Sequence, residues 1–281
     1  MHSLSRTVAG CAIHYFQQEG DGDPLLFFHA TGFHAGVWRK IAAEFPDRPL
    51  YLVDMPGHGE SGTPDMPFRW DHAGDLMAAF IAELGLKRVT GIGHSMGGHV
   101  MLLAAASQPE RFSQLILLDP VVLPLKVIPF MNAFDTSALA RRRNDWASSD
   151  AFYDAYKDRA PFDSWDRDVL KDYADGALVK AEAGKGYVLA CDPALEASVY
   201  QNHGAAHLHS CFQDIACPVH IIRAKSLGPG DKPTDFRLSP TAPTLVNKLS
   251  LATDEQREDF THFFPMEYPG WVAEKIRSHL R

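Results

Sequence analysis

Short, mainly apolar runs alternate with longer amphipathic stretches along the first half of the chain. The runs are residues 25–28, 50–53, 89–92 and 115–118, and residues 219–222 resume the pattern after a long interval. A four-residue run with no polar face fits a strand covered on both sides, as in a mainly parallel sheet. Between the runs, residues 37–45 and 71–84 have helical spacing, residues 101–106 are rich in helix formers, and residues 269–280 read as a final helix. Residues 8–16 read as an edge strand that ends before the Gly20-Asp-Gly-Asp-Pro24 turn. Strands and helices in alternation predict the α/β class, with helices on both faces of the sheet. In such sheets chemistry gathers at the carboxyl ends of the strands. His29, Asp54, Ser95 and Asp119 each stand just after an apolar run, so they are expected on one rim.

The rhythm breaks after Pro120. Residues 121–212 contain no confident strand and are rich in aromatics: Phe130, Phe134, Trp146, Phe152, Tyr153, Tyr156, Phe162, Trp165 and Tyr173. We read 121–212 as a helical cap inserted into a core made of 1–120 and 213–281. Such a cap supplies apolar walls to a pocket on the rim; the alternative is that these rings only form its own core.

Candidate chemistry centres on Gly93-His94-Ser95-Met96-Gly97, placed between a strand and a helix. A serine in so tight a turn has a strained backbone, and glycines two residues to either side remove the clashes. Its hydroxyl is then exposed above the sheet, with a helix N-terminus behind it to favour negative charge. The alternative is a chance match in a loop. A serine nucleophile needs an imidazole base held by a carboxylate. His262, in a turn before the final helix, suits the order nucleophile, acid, histidine; any one of fourteen histidines could instead be a surface residue. The acid is open between Asp235, which looks like an acid before a helix start, and Asp119, with Asp231 behind them. Each could equally cap a helix or bind a backbone amide. An oxyanion site needs two convergent amides. Met96 offers one, and Thr31, with Ala30 beside it, the other.

The remaining composition narrows the function. The chain has 281 residues, 46% of them hydrophobic, which suits one large domain with an insertion. A net charge of -8 without a basic stripe argues against nucleic acid. Cys11, Cys191, Cys211 and Cys217 form no Cys-x-x-Cys pair and read as reduced thiols. The N-terminus lacks an apolar signal core, and no stretch reaches the ~20 apolar residues of a membrane span. A soluble, cytoplasmic protein with a small-molecule substrate and no membrane partner is expected; a homodimer stays open. No cofactor and no metal are expected. His203, His207 and His209 lie close together, but their spacing matches no standard zinc pattern, and Gly97-Gly98 lacks the lysine of a phosphate loop.

With these residues in place, the chain resembles the α/β-hydrolase superfamily over nearly its whole length. The resemblance rests on His29-Ala30-Thr31-Gly32, Asp54-Met55-Pro56-Gly57-His58-Gly59-Glu60-Ser61, Gly93-His94-Ser95-Met96-Gly97-Gly98 and His262-Phe263-Phe264-Pro265-Met266-Glu267. It implies an eight-stranded sheet, a cap after the sixth strand, and the roles given above for Ser95, His262, the acid and the amides. Alanine replaces the usual glycine at position 30, and the loop after Ile222 is longer than usual. Asp54 and His58 match a family loop that is generally structural. Serine at position 95 argues against the branches with an aspartate nucleophile. Ester hydrolysis through an acyl-enzyme is the first expectation. The alternatives are thioester or lactone cleavage, carbon–carbon bond hydrolysis with an arginine-bearing pocket (Arg141 to Arg143, or Arg159), and a small-molecule receptor on a hydrolase scaffold.

Overall fold

A computed structural model describes residues 1–280 except 130–132, 134, 182–185, 203, 204, 229, 233 and 234, and the side chain of residue 205. Phe130, Phe134 and His203, which the sequence reading assigns to the cap, lie outside the described residues. Eight strands form one sheet in the order β1-β2-β4-β3-β5-β6-β9-β10. They are β1 (His2–Val8), β2 (Cys11–Gln18), β3 (Leu25–Phe28), β4 (Leu50–Val53), β5 (Val89–His94), β6 (Phe112–Leu118), β9 (Val219–Arg223) and β10 (Ala252–Gln256). The pairs β1·β2 and β2·β4 are antiparallel, and every other pair in this sheet is parallel. The chain is an α/β protein with an eight-stranded, mainly parallel sheet.

Period-two alternation explains why the apolar runs are strands. Leu26 and Phe28 point into one core layer and Leu25 and Phe27 into the other, all fully buried. The first layer packs under α2 (Trp70–Glu83) and α3 (Met96–Ser107); the second packs under α1 (Arg39–Ala42) and the final helix Pro269–His279. The chain runs outward from β3 to β4 and returns past β3 to β5, so the strand order reverses between β3 and β5. The carboxyl ends of adjacent strands at such a reversal bound a crevice. The loops that begin at His29 and at Ser95 flank it.

Several elements differ from the sequence reading. The expected edge strand 8–16 is the second arm of a hairpin. A two-residue turn, Ala9-Gly10, has φ +46° and +82°, a geometry that matches the twist of the arms. The first arm escaped notice because six of its seven residues are exposed, leaving no buried alternation. The edge strand β10 reads Ala-Thr-Asp-Glu-Gln and is polar for the same reason. Between β6 and β9 lie mostly helices, Ser149–Tyr156, Arg167–Gly176 and Pro193–Gln201 among them. They are joined by a short hairpin, β7 (Leu178–Lys180) and β8 (Tyr187–Leu189), where no strand was expected. Three residues per arm are too few for a periodic signal. Residues 235–240 form a turn rather than a helix start. Among the described residues, no helix is long and apolar enough to cross a membrane.

Candidate active site

Ser95 follows β5 directly and has φ +56° and ψ -119°, a rare conformation for a residue with a side chain. Close packing of α3 on the sheet enforces it. A Cβ on Gly97 would lie 2.3 Å from the Phe28 carbonyl oxygen, and one on Gly93 would lie 2.7 Å from the Gly97 carbonyl oxygen. Backbone at these distances cannot step aside. Gly97→Ala is therefore expected to destabilise the protein by more than about 3 kcal/mol, read as a loss of midpoint in urea unfolding. An unchanged midpoint would show that the turn has slack.

The serine hydroxyl meets an imidazole. His262 Nε2 lies 3.0 Å from Ser95 Oγ, and His262 Nδ1 lies 2.6 Å from Asp119 Oδ2. Asp119 directly follows β6 and is fully buried, with φ +48°. Its second oxygen, Oδ1, accepts the Ala224 amide at 3.2 Å and the Ser239 hydroxyl, while the Thr241 hydroxyl lies 3.2 Å from it and donates to the Pro120 carbonyl at 2.6 Å. A buried carboxylate satisfied on both oxygens stays in place and leaves one lone pair for the imidazole. Ser239 and Thr241 were not anticipated. They lie in the long loop after β9, and nothing in their sequence marks them.

Asp235, the first choice for the acid, is not at the imidazole. It forms an ion pair with Arg237 at 2.8 Å and accepts the Arg237 amide. That local turn holds its carboxyl near the surface, and the Arg237 hydrogen bonds lower its pKa to about 2. Asp231 pairs with Lys225 at 3.6 Å and accepts the Gly228 amide. Arg237 contributes to the site through its backbone instead: its carbonyl accepts the His262 amide at 2.7 Å.

The histidine turn has a second anchor. His94, inside the serine turn, donates from Nε2 to the His262 carbonyl at 2.8 Å, and the two rings lie 4.9 Å apart. Complete burial, with the neighbouring His262, pushes the His94 pKa well down, so the ring is neutral and its proton sits on Nε2.

Met96, first residue of α3, has no carbonyl four residues back within its helix to accept its amide. The other side of the crevice is the loop 29–34. His29 Nδ1 donates to the Ala30 carbonyl at 2.7 Å, and its Nε2 accepts the Met55 amide at 2.9 Å. Burial lowers the His29 pKa to about 3, which keeps this tautomer at all ordinary pH. The Phe33 amide closes a turn on the Ala30 carbonyl at 3.2 Å. Gly32 has φ +76°, a region that favours glycine. Phe33 packs against Trp165 at 5.2 Å, and Trp165 packs against Phe263 at 6.0 Å between ring centres. Phe33 in this loop and Phe263 next to His262 thus share one aromatic wall with Trp165, from the segment between β6 and β9.

Asp54 and His58 belong to the scaffold of that loop. Asp54 accepts the Ala35 amide at 2.6 Å, the Glu60 amide at 2.9 Å and His14 Nδ1 at 2.7 Å. Burial raises the Asp54 carboxyl, but the hydrogen bond from His14 and its neighbours outweigh this and leave it at about 2 against 3.8 when unfolded. The folded protein therefore resists protonation there. The group's stabilisation, about 2 kcal/mol, is complete above pH 4 and disappears as pH falls through 2. Burial lowers the His14 pKa, yet Asp54 and Glu60 raise it on balance, so its contribution is complete below pH 6.5 and fades as pH rises through the folded value. Asp54→Asn is expected to lower stability at pH 5 and to remove the extra decline between pH 4 and 2. Urea unfolding across that range checks this; parallel curves for the two proteins would contradict it.

His209 donates to the Leu123 carbonyl at 2.9 Å. Among the described residues, no group of three or more His, Cys, Asp or Glu side chains could hold a metal ion. Cys11, Cys191, Cys211 and Cys217 are free thiols.

Strand order and the bent serine turn define a protein of the α/β-hydrolase class. The chain belongs to the alpha/beta hydrolase family, whose family model matches residues 25–275. It is similar to the lipase LipV of Mycobacterium tuberculosis, 33% identical over 110 residues. That match covers 38% of this chain and 42% of the relative, so the chain spans less than half of that protein's length. It is 26% identical over 254 residues to the 2-(acetamidomethylene)succinate hydrolase of Mesorhizobium japonicum, covering 87% of each. The solved structure of E-2-(acetamidomethylene)succinate hydrolase superposes with a TM-score of 0.76 at 19% identity, over 99% of this chain and 98% of that one.

Proposed function

We propose that the protein is a serine hydrolase that cleaves a small-molecule ester through an acyl-enzyme. The observation that carries this reading is the continuous chain from Ser95 Oγ through His262 to Asp119, at 3.0 Å and 2.6 Å, on a strained turn. His262 Nε2 takes the hydroxyl proton as Ser95 Oγ attacks the ester carbonyl carbon. Asp119 holds the Nδ1 proton and stabilises the imidazolium. The amides of Met96 and Thr31, with Ala30 alongside, receive the oxyanion. Collapse expels the alcohol, which takes the proton from His262. Water, deprotonated by His262, then attacks the acyl carbon and releases the acid and Ser95.

We read residues 121–212 as a cap over this site, with 1–120 and 213–281 as the core. Ser95 and His262 are each more than nine-tenths buried, so substrate enters by way of the cap, and the Phe33, Trp165 and Phe263 wall suits an apolar acyl or alcohol group. Thioesters and lactones fall within the same chemistry. Carbon–carbon hydrolysis of a carboxylated substrate would need an arginine facing the pocket, and of the candidates Arg141, Arg142 and Arg143 are engaged elsewhere. Arg141 donates to Ser137 at 3.1 Å, Arg142 is paired with Glu196 at 2.5 Å, and Arg143 stacks on Trp146 at 3.9 Å.

Turnover of a panel of p-nitrophenyl esters from acetate to octanoate, a thioester and an enol lactone tests the assignment. Saturable release of product from at least one ester is expected. Stoichiometric binding of an ester or acid without turnover, in folded protein, would favour a receptor and overturn the assignment.

A further inference from the structure

We propose that Tyr173 is a positioning residue for the amide loop 29–34, held in place by the Arg142–Glu196 pair; this rests on the role given above to the Thr31 amide. Two hydrogen bonds join Tyr173 to that loop in opposite senses. Its hydroxyl donates to the Gly32 carbonyl at 3.3 Å, and His34 Nε2 donates to the Tyr173 carbonyl at 2.8 Å. The His34 ring also stacks on the Tyr173 ring, 12° from parallel at 5.7 Å. Gly176, one turn on, leaves room for His34: a Cβ there would lie 2.3 Å from the His34 ring. The helix Arg167–Gly176 is thereby stapled to the loop that carries Thr31.

Behind the hydroxyl lies an ion pair from two further segments. Arg142 Nη1 meets Glu196 Oε2 at 2.5 Å, and Glu196 is buried. The guanidinium lies beside the Tyr173 hydroxyl. The other Glu196 oxygen stands over Gly32, 2.7 Å from where a Cβ would be. A small cavity next to them is lined by Gly32, Phe33, Arg142, Tyr173 and Cys191. A partly buried ion pair is a poor source of net stability. Here it fixes the rotamer of one hydroxyl and limits the approach of one loop.

A misplaced amide weakens only the charged intermediate, so kcat should change and KM should not. Tyr173→Phe keeps the ring and its packing on Phe33, Phe152, Phe162 and Trp165, so it should fold. The expected result is a roughly tenfold fall in kcat, about 1.4 kcal/mol, with KM within twofold. Affinity for a boronic acid, which places a tetrahedral anion on Ser95, should fall by a similar factor, while affinity for the product acid should hold. Arg142→Met should reproduce this pattern more weakly, by way of the hydroxyl. Unchanged kcat and boronate affinity in Tyr173→Phe would overturn the proposal. So would equal losses in boronate and product affinity, which would mark a pocket wall. Wild-type turnover and boronate binding, measured first, report separately on the serine hydrolase reading.

Discussion

Ser95→Ala is expected to lose ester turnover by a factor on the order of 10⁵ while keeping its fold and its affinity for product. Removing the attacking oxygen leaves only the binding and oxyanion contributions, which account for about 10³–10⁴ over water in serine hydrolases that have been dissected this way. Alanine fits, because the strained turn depends on Gly93 and Gly97 rather than on the hydroxyl. The hydroxyl's hydrogen-bond partner is His262, at 3.0 Å. The variant should therefore unfold within about 1 kcal/mol of the wild type. Steady-state kinetics with an ester from the panel and urea unfolding of the same preparations check both halves. A variant that retained a tenth of the rate would remove Ser95 from the chemistry.

The second large effect separates two aspartates. Asp119→Asn should lower kcat by about 10⁴, because an amide in place of the carboxylate favours the wrong imidazole tautomer. Its one remaining oxygen can still face the Ser239 hydroxyl and the Ala224 amide, which turns the NH2 toward His262 Nδ1. Asp235→Asn should leave kcat within about twofold, since its carboxylate pairs with Arg237 at the surface. Equal losses in the two variants, or the larger loss at position 235, would exclude Asp119 as the partner of the imidazole.

The central sheet was legible because its strands are buried on both faces, so Leu25–Phe28 and Leu50–Val53 read as solid apolar runs. Strands β1 and β10 were not, since exposed edges carry no buried alternation. Ser95 could be read from its turn, because close approach of backbone demands glycine at fixed offsets. The acid could not. Both Asp119 and Asp235 follow strands in sequence, and the choice is made by Ser239 and Thr241 folding back from the far side of β9 to the Asp119 side chain. Likewise, Tyr173 is 141 residues from Gly32, and helical spacing tells which face of its helix is apolar but not which loop that face meets.

A fluorophosphonate reacts with a serine only where an imidazole removes its proton and amides hold the phosphoryl oxygen. Intact-mass measurement after treatment, followed by peptide mapping, is the most direct measure of whether Ser95, His262 and the two loops act as one centre. One adduct per chain, on Ser95, lost in His262→Ala, is the expected result. Folded protein that stays unlabelled at Ser95, or labels equally without His262, would contradict it.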